Sequence, residues 1–187
     1  MREVRDRALF DLDDGPVTPS AQADVVSIAH LLNELLASFV VSSLQYEQHA
    51  LLVPAPSARP LAGFLSACAD RDRGGARLLA ARIRQLGFTG EYEPQHLSAR
   101  SRIGFRMFSH GDLAGIAAQD LFAARILVQT LQETVRWLGD HDPTTRRLLE
   151  QLLEAKEAEA DRLRAQSHPT NPAEPATPHQ GETRAHP

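Results

Sequence analysis

The chain has 187 residues, enough for one domain with a substantial core, and 42% of them are hydrophobic but only 5% aromatic. Leu and Ala dominate the apolar set, a mix that favours helices over a β-sandwich. The formal charge of −4 supplies no broad basic field, which argues against sequence-independent nucleic-acid binding, and the single cysteine, Cys68, excludes an internal disulfide and fits a reducing cytoplasm.

Residues 1–22 read as an acidic, turn-rich N-terminal arm (Asp11, Asp13, Asp14, Gly15, Pro16, Pro19) with no apolar signal region. A first helix is predicted from near Ala23 to Val53, with Ile28, Leu32, Leu35, Leu36, Phe39, Val40 and Tyr46 at helical spacing. Its most apolar stretch, 35–44, is shorter than the roughly 18–20 residues that span a bilayer. A second helix is predicted from Pro60 to Gly87, with Gly74 and Gly75 inside it marking close packing or a lost side chain. Residues 88–111 carry no sustained helical period and suit a crossover running the length of a bundle.

The third helix should start after Asp112 and stop at Gly139. The short turn that follows forces the fourth helix to return antiparallel, with Asp142 as N-cap and Pro143 as first residue, and to continue to about Gln166. From Ser167 to the end, Pro169, Pro172, Pro175, Pro178 and Pro187 interrupt a stretch with almost no large apolar residue, the signature of a disordered tail. The chain thus divides into an arm (1–22), a bundle domain (23–166) and a tail (167–187).

Several blocks carry a family resemblance. They are Leu32-Asn33-Glu34-Leu35-Leu36 with Gln45-Tyr46 and His49; Leu79-Ala80-Ala81-Arg82-Ile83 with Leu86-Gly87; Asp120-Leu121-Phe122-Ala123-Ala124; and the turn Leu138-Gly139-Asp140-His141-Asp142-Pro143 leading into Leu148-Leu149-Glu150. In this order, with the long crossover between the second and third, they resemble the bacterioferritin and Dps-like branch of the ferritin-like superfamily. The resemblance implies an all-α ferritin-like four-helix bundle made of two antiparallel hairpins. It also implies a hollow oligomer that stores iron and oxidises Fe(II).

The family's di-iron centre takes one Glu from each of two helices and a Glu-x-x-His from each of the other two. The resemblance places those six ligands at Phe39, Asp72, Gly75, Ala124, Lys156 and Glu159. None is the family residue, so no catalytic, metal or cofactor site is assigned, and iron is expected only at an unrecognised site, such as a subunit interface. Arg73 stands where bacterioferritins carry a haem-ligating Met, which argues against haem. The expected role is a structural or partner subunit, as a homo-oligomer or co-assembled with a ferritin-like paralogue, with no membrane partner and with ferroxidase activity in doubt. A third reading is a ligand-binding or interaction module.

Two expectations concern the altered positions. Phe39 and Ala124 should restore packing as a large residue opposite a small one. Lys156, Asp72 and Glu159 form either a buried ion cluster or part of a solvated face. His49 reads as structural or interfacial, Cys68 as a small buried apolar residue, and the run Arg71, Arg73, Arg77, Arg82, Arg84 as a solvated, salt-bridged face.

Overall fold

The computed structural model describes residues 23–54 and 58–167. Over these it contains five helices and no strand: α1 (Val25–Leu52), α2 (Arg59–Gln85), α3 (Pro94–Arg100), α4 (Leu113–Leu138) and α5 (Pro143–Ser167). The expectations for the arm, and for the tail beyond Ser167, lie outside the described residues. Ser167 itself closes α5 rather than opening the tail, a one-residue shift of the kind helix ends allow.

Local chemistry sets the boundaries. Asp24 caps α1 by accepting from the Ser27 amide at 3.1 Å, and Asp112 caps α4 by accepting from the Gly115 amide at 2.9 Å. At the end of α2, Gly87 adopts φ 87°, the Phe88 amide donates to the Ile83 carbonyl (3.1 Å) and the Gly87 amide donates to that of Arg84 (3.0 Å). This paired closure satisfies the last carbonyls and needs the left-handed residue that glycine supplies. The Asp142 carboxylate accepts from the Thr145 amide at 3.0 Å and so caps α5.

α1 and α2 form one antiparallel hairpin, α4 and α5 the other, and the crossover runs parallel to α1. Asn33 Oδ1 accepts from the Glu91 amide (2.9 Å), Ser38 Oγ from the Arg102 amide (2.9 Å), and Gln45 Oε1 from the Arg106 amide (2.6 Å). The crossover therefore advances along α1 as its own sequence advances, satisfying its backbone on polar side chains of that helix. The short helix α3 within it is absent from the sequence reading. None of its residues is fully buried, so it has no apolar stripe to betray it, and Pro94 opens it.

α1 also departs from expectation. An 18-residue window within it reaches a mean hydropathy of 1.7, long and apolar enough to cross a bilayer by length and composition alone, and 61% of that window is buried inside the bundle. Its apolar face is core: Leu32, Leu35, Leu36 and Phe39 pack with Leu79 and Ile83 of α2, Leu127 and Leu131 of α4, and Leu149 and Leu152 of α5. A second apolar cluster fills the other end with Tyr46, Leu65, Cys68, Ile116, Ala124 and Leu163.

The two adjacent glycines of α2 have different causes. A Cβ on Gly75 would lie 2.8 Å from two atoms of the Phe39 ring, whereas one on Gly74 meets nothing within 4 Å. Gly74→Ala should accordingly stabilise the fold by about 0.5–1 kcal/mol through helix propensity. Gly75→Ala should destabilise it by about 1–3 kcal/mol through overpacking. Paired urea melts check both signs at once.

Candidate functional site

One turn of α5 presents Lys156 and Glu159 on the same face, since positions i and i+3 are neighbours on a helix. Opposite them α2 supplies Asp72 and α1 supplies Tyr46 and Phe39. All three charged residues are buried, at 2% exposure for Lys156, 1% for Asp72 and 3% for Glu159, which decides between a core cluster and a solvated face. Lys156 Nζ stands 2.5 Å from Asp72 Oδ1 and 2.6 Å from Glu159 Oε1. The Tyr46 hydroxyl donates to the same Glu159 oxygen at 2.7 Å. The ammonium also lies 5.5 Å from the Phe39 ring centre and 5.3 Å from that of Tyr46, within cation–π range. The cluster thus joins the two apolar halves of the core.

Its electrostatics follow from burial. Loss of solvent pushes the Asp72 carboxyl up to about 6 even though Lys156 opposes the shift. Burial alone would pull the Lys156 ammonium down, but Asp72 and Glu159 outweigh it and hold the group above its ordinary value. Lys156 is therefore a fixed cation and no nucleophile. A second cation stands at the rim: Arg71 Nη2 is 3.5 Å from Glu159 Oε2. With Arg71, two cations stand against the two carboxylates Asp72 and Glu159. Burial pushes the Cys68 thiol up, well away from the thiolate range, as expected of a packed apolar residue.

Toward the end of α1 a second buried network adjoins the first. Gln45 Oε1 accepts from the Arg106 amide, so its Nε2 must donate, and it does so to the Arg106 carbonyl (2.7 Å) and to His49 Nε2 (2.6 Å). His49 Nε2 is then an acceptor, which leaves the ring proton on Nδ1 to bond Asp120 Oδ1 at 2.7 Å. Phe108 packs edge-on against the imidazole at 5.2 Å. His49 is fully buried and structural, and its partner is Asp120, which the sequence marks as part of the resemblance but not as a neighbour of His49.

Two expectations are corrected. Phe39 does not face Ala124. Its small counterpart is Gly75, while Ala124 belongs to the other apolar cluster, with Tyr46 and Cys68. Arg82 is not part of a solvated face but 3% exposed; its Nη2 donates to both oxygens of Asp142 at 2.9 Å and its Nε to Thr145 Oγ1 at 2.7 Å. Arg73 does fit the solvated reading, paired with Asp70 and Glu47 at 2.9 Å each.

Among the described residues no three His, Cys, Asp or Glu side chains are grouped so as to hold a metal ion. The carboxylates nearest the bundle centre, Asp72 and Glu159, both direct an oxygen at the Lys156 ammonium. Of the six positions at which the resemblance implies di-iron ligands, Phe39, Gly75 and Ala124 carry no side-chain donor atom and Lys156 is a cation held by the two carboxylates.

The model of the ferritin-like domain family matches residues 29–170. The chain belongs to this family. Its ferritin-like fold is close to that of the bacterioferritin-related protein of Bacteroides fragilis, at 23% identity and a TM-score of 0.73 over 76% of this chain and 85% of that one. A Dps homologue from the archaeon Halobacterium salinarum also aligns with a TM-score of 0.73 and 23% identity, over 86% of this chain and 93% of its own. A Mycobacterium smegmatis Dps1 mutant aligns at 18% identity and 0.72, over 78% and 99%. No curated protein matches the sequence. The expected ferritin-like fold and its bacterioferritin and Dps neighbours are therefore borne out.

Proposed function

We propose that this chain is a ferritin-like subunit, related to iron storage, that lacks an intrasubunit ferroxidase centre and serves as a structural or partner subunit of an oligomer. The observation that carries this reading is the Lys156 ammonium held by Asp72 and Glu159 in the bundle core. These three, with Phe39, Gly75 and Ala124, occupy the positions to which the family resemblance assigns di-iron ligands. Three of the six offer no donor atom, and the fourth is a cation. A divalent ion entering there would have to displace the ammonium or sit against it, at a repulsion that low-dielectric surroundings strengthen. An oligomer is supported by the Bacteroides fragilis neighbour, which is described as dodecameric. The lone Cys68 fits the cytoplasm.

Anaerobic Fe(II) titration, followed by admission of oxygen, tests the reading, with native mass spectrometry on the same sample for assembly. The expected result is an oligomer without stoichiometric iron binding at the bundle centre. Two irons per chain, with rapid oxidation abolished by Asp72→Asn and Glu159→Gln, would sink the proposal. Rapid oxidation that survives both changes would favour the rival reading, an active storage protein with a site between subunits.

A further inference from the structure

The buried network at the end of α1 admits one placement of its protons. Two of its groups are backbone and cannot change role: the Arg106 amide donates and the Arg106 carbonyl accepts. They orient the Gln45 side chain, whose Oε1 accepts from the amide at 2.6 Å and whose Nε2 donates to the carbonyl at 2.7 Å. The same Nε2 donates to His49 Nε2 at 2.6 Å, so that ring nitrogen carries no proton. The other ring nitrogen is committed to Asp120 Oδ1 at 2.7 Å. A second proton on His49 therefore has one place to go, Nε2, where it meets a donor. Turning the Gln45 amide over to receive it sets an oxygen against the Arg106 carbonyl and an NH2 group against the Arg106 amide. Either way Gln45 loses its hold on the crossover.

We propose that His49 is a proton-operated latch on the crossover: protonation of its Nε2 releases the stretch 104–111 from α1 while the rest of the crossover stays docked. Gly104 and Gly111 bound this stretch, and buried Ile103 and the Asp112 cap anchor the chain on either side of it. Beside the latch, Gln48 Nε2 donates to Met107 Sδ at 2.8 Å, and a thioether is a weak acceptor. Upstream, the Glu91 and Arg102 amides rest on Asn33 and Ser38, which do not titrate. Two buried oxygens favour the released form. Asp120 Oδ2 and Gln48 Oε1 have no hydrogen-bond partner among the described residues, and lifting the stretch that carries Met107 and Phe108 admits water to them. The charge in contact with the imidazole is Asp120 of α4, which favours the protonated ring. Glu159 and Lys156 of α5 act on the same site with opposite signs. Asp72 of α2 is bound to Lys156, Arg71 of α2 and Tyr46 of α1 are bound to Glu159, and the Arg106 side chain of the crossover is exposed.

Hydrogen exchange of the full chain, resolved to single amides and corrected for the intrinsic pH dependence of exchange, tests the latch. Between about pH 7.5 and about pH 5, the range in which an imidazole changes charge, protection of the Arg106 amide should fall about tenfold or more. Protection of the Arg102 and Glu91 amides should hold. His49→Gln offers an acceptor and a donor but does not titrate, and should remove the pH dependence. Gln45→Met should leave the Arg106 amide at the low level at both pH values, which decides the matter should the first variant fail to fold. Constant protection of the Arg106 amide in the parent overturns the proposal. A fall shared by Arg102 and Glu91 also overturns it, as a general loosening of the crossover. So does a fall that persists in either variant, which assigns the proton to Asp120 or Asp72.

Discussion

Lys156→Met should cost about 3–5 kcal/mol of folding stability at neutral pH, because it strips a buried pair of its cation and leaves two carboxylates in the core. Methionine keeps the stem against Phe39 and Tyr46, so the loss reports charge rather than volume. The pH dependence has a definite sign. Burial raises the Asp72 pKa in the folded chain to about 6, above its value of about 4 in the unfolded chain. A carboxyl raised in this way adds stability that is complete below its unfolded pKa and is lost as pH rises through its folded one. Removing the ammonium takes away the main influence opposing that rise and moves the folded pKa higher still. The gap between variant and parent should therefore narrow as pH falls from about 7 toward about 5. Denaturant melts at the two pH values measure it, and equal stability of the two proteins at both would place Lys156 in solvent.

Arg82→Ala should cost a comparable ~3 kcal/mol, since it removes the guanidinium nitrogen that donates to both oxygens of buried Asp142 and unties the end of α2 from the turn before α5. Its pH signature runs the other way. Burial alone pushes the Asp142 carboxyl up, but the Thr145 hydroxyl and amide and the Arg82 guanidinium outweigh it and hold the group below its ordinary range. A depressed carboxyl adds stability that is present above its unfolded pKa and is lost as pH falls through its folded one. The parent then loses more than the variant on acidification, and their gap narrows only below about pH 4. Melts at pH 7, 5 and 3.5 separate the two clusters: a gap for Arg82→Ala that closes between pH 7 and 5 would contradict the assignment.

The helices were legible because their signals are local. Asp24, Asp112 and Asp142 lie beside the first turns they cap, Gly87 and Gly139 close α2 and α4, and the apolar rows of α1 and α4 repeat within each helix. The ion cluster was legible only through the family resemblance, because Asp72 and Lys156 are 84 positions apart and nothing local brings them together. The pairing of Tyr46 and Arg71 with Glu159 is not legible in the sequence because it depends on the rotation of α1 and α2 about their own axes. Arg82 looked like its neighbours in an arginine run. The signal that sets it apart was present: it falls on the same row as Asp72, Gly75 and Leu79, the face of α2 that packs inward. Asp120 and His49 also belong to inward rows, but on helices joined only by tertiary packing.

The contact between Phe39 and Gly75 obstructs any single-step route to the ligand set that the family resemblance implies at these positions. A histidine introduced at 75 brings a Cβ into the Phe39 ring at 2.8 Å. A glutamate introduced at 39 opens a void beside Gly75 and Leu152 and adds a third carboxylate around one ammonium. Replacing Lys156 alone leaves Asp72 and Glu159 without their buried cation. Each single step is expected to lower stability and supplies no complete centre in return, so the effects of these neighbouring substitutions should be non-additive.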